Sequence, residues 1–186
     1  MLIFFILSCT NPDKEIESNE VTEDIKPVIV IGGGASGLTT AIRLLELGIP
    51  PLLLEKEAEL GGAGIHAGRF FAVDTELQDE FDIVDSIDEA TEEWVEITGA
   101  LPDDNIESFI RESASVLEWI ESFDIQFESV ERDIGSGTTP RIHSLSPTSP
   151  HPLALWSEML LPYSELNQTV QSIQQSDNYF IVNTDT

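Results

Sequence analysis

Gly32, Gly34 and Gly37 are spaced as G-x-G-x-x-G, and their flanks decide what chemistry that spacing can do. Before them runs Val28-Ile29-Val30-Ile31, a continuous β-branched stretch of the kind found in strands buried on both faces. After them Leu38, Ala41, Ile42 and Leu45 fall at helical spacing, and Gly48 stands as a helix-ending glycine. Between a strand and a helix each glycine has a task. Gly32 permits the tight turn, Gly34 lets the backbone approach a pyrophosphate, and Gly37 lets the helix pack on the strand. Ala35 and Ser36 then lie at the helix N-terminus, where free N–H groups attract phosphate. A second apolar run, Pro51-Leu52-Leu53-Leu54, ends at Glu55. A carboxylate there accepts hydrogen bonds from ribose hydroxyls and repels the 2′-phosphate of NADP. A glycine-rich turn of some other α/β protein is the alternative, but strand, helix and terminal acid together favour a dinucleotide site on a βαβ unit with parallel strands.

The choice between FAD and NAD rests on the residues after that acid. Glu55-Lys56 continues into Glu57-Ala58-Glu59-Leu60-Gly61-Gly62, and an acid followed by paired glycines resembles the two-dinucleotide-binding-domain flavoproteins, where the pair brings a loop against the cofactor. The fold class expected is therefore α/β, an incomplete Rossmann-like FAD-binding domain. Its cofactor-binding residues are Gly32, Gly34, Ala35, Ser36, Gly37, Glu55, Lys56, Gly61, Gly62, Ala63 and Gly64. Lys56 is in this set by position, its role open between cofactor contact and plain surface lysine. An NAD-linked dehydrogenase stays as an alternative, to be recognised by NAD binding without flavin.

The segment Gly61-Gly62-Ala63-Gly64-Ile65-His66-Ala67-Gly68-Arg69-Phe70-Phe71 narrows the likeness. It is similar to the post-strand loop of the fumarate reductase/succinate dehydrogenase flavoprotein family, which includes ketosteroid dehydrogenases. Gln78, Asp85-Ser86, Trp94, Trp119-Ile120 and Phe123 resemble that family's helical stretch, and Arg141-Ile142-His143 its Arg-x-His. The next loop reads Ser144-Leu145-Ser146-Pro147-Thr148-Ser149-Pro150 and departs from the family in lacking glycines. The resemblance implies FAD as cofactor and, in the complete protein, hydride transfer between a substrate C–C bond and the flavin. It also implies that the capping domain and catalytic set lie beyond residue 186, so residues 27–186 read as the N-terminal part of the FAD-binding domain with an acidic helical insertion at about 74–133, and no catalytic residue is assigned. Some members attach FAD through a histidine in this neighbourhood; His66 is open between that role and a loop histidine. Arg141 and His143 are open between binding a substrate carboxylate and a structural role.

Charge limits the partners. Eight Lys+Arg stand against 35 Asp+Glu, a formal net charge of −27, which repels nucleic acid because phosphate binding needs clustered cations. A dinucleotide remains compatible, since backbone N–H groups hold its pyrophosphate. No metal site is expected. The only cysteine, Cys9, excludes an intramolecular disulfide and a Cys-rich zinc site. It closes Leu2-Ile3-Phe4-Phe5-Ile6-Leu7-Ser8, and Ile6-Leu7-Ser8-Cys9 resembles a lipobox. That reading makes residues 1–9 a lipoprotein-like signal, residues 10–26 an acidic flexible tether, and Cys9 a lipid anchor in the cell envelope. The alternative is a buried N-terminal strand in a cytoplasmic protein.

From about 74 to 133 the chain is densely acidic with apolar residues at helical spacing. Phe81, Val84, Ile87 and Ala90, continued by Trp94 and Ile97, predict one helix, and Phe109 to Ile120 predict another, with aromatics in the core and carboxylates outside. Residues 134–152 predict a long loop, Leu153 to Leu161 a helix, and Gln168–Ile173 with Tyr179–Asn183 a hairpin turning at Ser176-Asp177-Asn178. In function the expectation is the FAD-binding part of an oxidoreductase that also meets a small-molecule substrate when complete. The alternative is a non-catalytic nucleotide-binding or interaction module on the cell surface.

Overall fold

The computed structural model describes residues 27–99, 104–132 and 137–185. The chain opens with β1 (Val28–Ile31), α1 (Ala35–Glu46) and β2 (Pro51–Leu54). The two strands pair in parallel, Val28 opposite Pro51 through Ile31 opposite Leu54, so α1 is the crossover between them. α1 is helical because Leu38, Ala41 and Ile42 make one apolar face, all three buried. It closes at Leu47, and Gly48 follows in the left-handed conformation, φ +74°, where a glycine is least strained.

A third parallel strand, β6 (Ser164–Glu165), joins the far side of β2, giving the order β1-β2-β6. The middle strand therefore carries the burial, at Leu53 and Leu54. β1 departs from the two-faced burial expected of it. Only Val30 is buried, while Val28 and Ile31 are exposed, because among the described residues β1 pairs on one side only.

Between β2 and β6 the chain builds a second layer. β3 (Arg69–Phe71), β4 (Phe127–Glu131) and β5 (Ile142–Leu145) form an antiparallel sheet with β5 in the middle. Helices α2 (Glu76–Glu80), α3 (Ile87–Thr98) and α4 (Asp104–Glu121) lie between β3 and β4 in the chain. The single helix expected through Phe81 and Ala90 is two. Thr75 and Gln78 form a reciprocal capping box at the start of α2, Asp82 turns to φ +55°, and the Ser86 hydroxyl accepts the Glu89 N–H to restart the chain as α3. Capping overrides the apolar period, and Phe81 and Val84 fall in the break, Val84 90% exposed. Trp94 does reach a core, packing its ring 5.2 Å from Phe71 and 5.6 Å from Phe109.

Residues 134–152 are not one loop: β5 lies inside that stretch, between Pro140 and Ser146. Helix α5 (Pro152–Leu160) then packs on α1 and buries Leu153, Trp156 and Leu160. The principal core lies there, between α1, β2, α4 and α5, with the Trp119 and Trp156 rings 4.9 Å apart. Strands β7 (Val170–Gln175) and β8 (Phe180–Thr184) pair as the expected hairpin, closed by Ser176 N–H donating to Tyr179 O. No described helix is long and apolar enough to cross a membrane. Cys9 and the boundaries drawn at 1–9 and 10–26 lie outside the described residues.

Candidate functional site

The glycine-rich turn sits where β1 hands over to α1. Gly32 takes φ +93° and its N–H donates to Leu54 O at 2.8 Å, so the sheet extends one bond past the strand before the chain reverses. Gly37 is forced by packing, since a Cβ there would lie 1.8 Å from Gly32 O. Gly34 is different. It is the N-cap of α1 at φ −80°, ψ −170°, and a Cβ on it would meet nothing within 4 Å. Over this turn there is open space. α1 has no side-chain cap and no acidic residue in its first turn, in a chain of net charge −27. Ala35 and Ser36 are exposed there. An uncapped helix start with the positive end of its dipole facing open space is a site for an anion held by backbone N–H groups.

Glu55 closes the turn from below. Its carboxylate is buried and accepts the Gly33 N–H on Oε2 at 2.5 Å and the Glu57 N–H on Oε1 at 2.9 Å. Each oxygen keeps further lone-pair capacity for a hydroxyl donor. Gly33, one of the unspecified positions of the motif, is thus a working residue. A Cβ on it would lie 2.4 Å from Leu60 Cδ2 and 3.2 Å from Glu55 Oε2. The signal was the unbroken Gly32-Gly33-Gly34 run. The Lys56 side chain is two-thirds exposed and its ammonium lies 3.6 Å from Glu57 Oε1.

The second glycine group folds back onto the first. Gly61, at φ +112°, donates its N–H to Gly33 O at 2.7 Å, and a Cβ on Gly62 would lie 3.2 Å from Gly34 Cα. The chain then runs through a 3₁₀ turn, Gly62–His66, in which Gly64 presses on Leu153 and Ala35. Gly32, Gly33, Gly34, Ala35, Gly37, Glu55, Gly61, Gly62 and Gly64 therefore form one constellation. Ser36 and Ala63 sit exposed in the same two segments, and Lys56 is exposed directly after Glu55. His66 is exposed at the end of the 3₁₀ turn.

Arg141 and His143 belong to the second layer, on and beside β5, and serve the fold. Arg141 is 1% exposed and forms a bidentate pair with buried Asp85, Nε to Oδ2 at 2.8 Å and Nη2 to Oδ1 at 2.7 Å, while Nη1 donates to Glu93. Burial, which opposes its charge, is outweighed by the hydrogen bonds and charges of Asp85 and Glu93, so its pKa is held above the ordinary value. For Glu93, burial is likewise outweighed, by hydrogen bonds from Thr138 and by Arg141, and its pKa falls. His143 is fully buried, with Nε2 2.8 Å from Thr75 Oγ1. Burial lowers its pKa, against smaller opposing contributions from backbone at Arg141 and Phe70. Of the two sequence readings for this pair, substrate binding is replaced by the structural one. Among the described residues no three His, Cys, Asp or Glu side chains converge to hold a metal ion.

Residues 27–165 match the family model for the FAD binding domain. The chain belongs to that family. FAD is accordingly the cofactor of this FAD-binding domain, and the open cradle over Gly34 fits a dinucleotide pyrophosphate. A vinyl phenol reductase of Lactiplantibacillus plantarum is 30% identical over 115 residues, 61% of this chain and 23% of that protein. A fumarate reductase of Schizosaccharomyces pombe is 29% identical over 128 residues, 67% of this chain and 25% of that protein. The chain thus spans about a quarter of the length of these curated relatives. In fold it is similar to a flavocytochrome c3 fumarate reductase in its open conformation, with a TM-score of 0.72 at 21% identity over 82% of this chain and 28% of that one. It is also similar to the 3-ketosteroid-Δ4-(5α)-dehydrogenase of Rhodococcus jostii RHA1, with a TM-score of 0.69 at 19% identity over 90% of this chain and 44% of that one.

Proposed function

We propose that this domain holds the FAD pyrophosphate on the N–H groups of Gly34, Ala35 and Ser36. Glu55 accepts hydrogen bonds from the adenosine ribose hydroxyls on its remaining lone pairs, and the Gly61–Gly64 segment lies along the cofactor with no side chain large enough to obstruct it. Bound FAD supplies a hydride acceptor or donor, and the whole protein passes a hydride between that flavin and the C–C bond of an activated alkene or its reduced form. The single supporting observation is the uncapped, carboxylate-free start of α1 beneath open space at Gly34. The alkene substrate class is supported by the reductase and dehydrogenase names of the relatives, among which the sequence does not choose. A flavin titration of the purified chain tests the binding part. Wild type should take up FAD, and Gly34→Val should stay folded and take up none, because its side chain fills the cradle without touching protein at Cβ. A folded wild type without flavin would refute the proposal.

We further propose export with a lipid anchor on Cys9, supported by Ile6-Leu7-Ser8-Cys9 and the acidic stretch after it. Intact-mass analysis of the membrane fraction checks this: acylated Cys9 at the mature N-terminus is expected, and an unmodified Cys9 in the soluble fraction contradicts it.

A further inference from the structure

Directly after the glycine-lacking loop of residues 144–150 the chain continues with His151-Pro152. Pro152 occupies the first position of α5, and the residue before a proline is driven to extended backbone. His151 is accordingly at φ −72°, ψ 130°, the N-cap conformation. Its Nδ1 accepts the Leu153 N–H at 3.2 Å, which leaves the ring proton on Nε2. That nitrogen lies 2.7 Å from Ala67 O and donates to it. Ala67 is the last residue of the Gly61–Ala67 arm that runs back over the glycine-rich turn.

We infer that His151 is a positioning residue for FAD binding: its imidazole ties the far end of the Gly61–Ala67 arm to the start of α5, and so holds the arm on the cofactor cradle. The inference rests on the FAD-binding reading of that cradle. The near end of the arm is fastened by Gly61 N–H to Gly33 O and by Gly62 against Gly34. Its middle rests on Leu153 through Gly64, where a Cβ would lie 2.7 Å from Leu153 Cδ1. Ala67 donates its own N–H to Gly64 O, and the next carbonyl, Gly68 O, accepts the Leu145 N–H at 3.0 Å, so the Ala67 carbonyl is where the arm is tied to α5 beside its tie to β5. The tie spans the rim of a cleft of about 240 Å³ walled by Ala35, Gly64, Ala67, His151 and Trp156. A serine or aspartate would cap Leu153 as well as histidine does. Neither reaches Ala67, and the two duties can therefore be separated.

The test compares the full wild-type chain with His151→Ser, which keeps a helix cap, and His151→Ala, which keeps neither bond. Three readouts are needed: melting temperature of the apo chain, hydrogen exchange of residues 62–69 without cofactor, and FAD affinity. His151→Ser should melt close to wild type, exchange several-fold faster in 62–69 only, and bind FAD about three- to tenfold more weakly, the loss expected for one hydrogen bond. His151→Ala should show the same affinity loss together with a lower melting temperature. Wild-type exchange and affinity in His151→Ser would overturn the inference and leave His151 a helix cap. If wild type takes up no FAD, the cradle reading fails; unchanged exchange in apo His151→Ser, separately, overturns the tie.

Discussion

Two alanine substitutions three residues apart in the glycine-rich turn should have opposite consequences. In Gly37→Ala the new Cβ would lie 1.8 Å from Gly32 O, where Cβ atoms essentially never come within 3.0 Å of a neighbour. The obstacle is backbone, so α1 or the turn must retreat by more than about 1 Å. A forced shift of packed backbone costs about 3 kcal/mol, at the upper end of ordinary overpacking. For a chain of this length that lowers Tm by about 6–12 °C. In Gly34→Ala the Cβ meets nothing within 4 Å, and φ −80°, ψ −170° is open to any residue. Reduced freedom of the unfolded chain favours alanine by about 0.4–1 kcal/mol, and the weaker N-cap preference of alanine offsets this. Its Tm should stay within about 3 °C of wild type. FAD affinity should run the other way, with Gly34→Ala impaired although fully folded, because its methyl occupies cofactor space. Thermal melts followed by circular dichroism, beside flavin titrations of each folded variant, decide the matter. Equal melting losses in both variants, or undiminished affinity in Gly34→Ala, would refute the division of labour drawn between the two glycines.

Removing the guanidinium in Arg141→Leu leaves Asp85, with its side chain fully buried, without a countercharge, and chemical denaturation should show a loss of about 3–5 kcal/mol. His143 has its pKa depressed below its ordinary 6.5, so the folded state binds the proton less readily than the unfolded chain. Stability is therefore complete above 6.5 and falls as pH drops below it, by at most about 1.4 kcal/mol per pH unit. Melts between pH 7 and 5 should show this slope shrinking in His143→Gln. The pKa of Glu121 is raised by burial and by Glu76, Glu118 and Glu80, so Glu121→Gln should raise Tm slightly at neutral pH, and added salt should diminish the gain. Glu55→Ala strips the buried Gly33 N–H of its acceptor and should cost about 1–3 kcal/mol by denaturation in the absence of any cofactor.

What could be read from the sequence was what depends on local backbone demands at fixed spacing. Gly32 and Gly37 answer a requirement set within a few residues, Gly34, Glu55 and Gly61-Gly62 stand at a motif's fixed distance from them, and the structure gathers them at one turn. Gly33 escaped because a motif records the constrained positions of many proteins and leaves the next one blank; here it faces Leu60 and the Glu55 carboxylate. Arg141 and His143 could not be placed because their partners, Asp85, Glu93 and Thr75, stand 48 to 68 residues away in the chain. The break at Phe81–Asp85 was hidden for the opposite reason. The apolar period ran through it, and the Thr75 and Ser86 caps that interrupt it carry no hydrophobic signal. Strand β5 was masked by composition, four residues set among Ser, Thr, Pro and Gly that read as loop. The burial of β1 was overestimated because a β-branched run records what a strand prefers, whereas its exposure depends on how many neighbours it has.

On the proposed function, the Gly32–Glu55 turn together with the Gly61–Gly64 arm selects FAD. Equilibrium dialysis of the folded chain against FAD and, separately, NAD tests it most directly. One FAD should bind per chain, NAD far more weakly, and FAD should be lost on Gly34→Val. NAD bound in preference to FAD, or neither bound by a chain whose melt shows it folded, would contradict it.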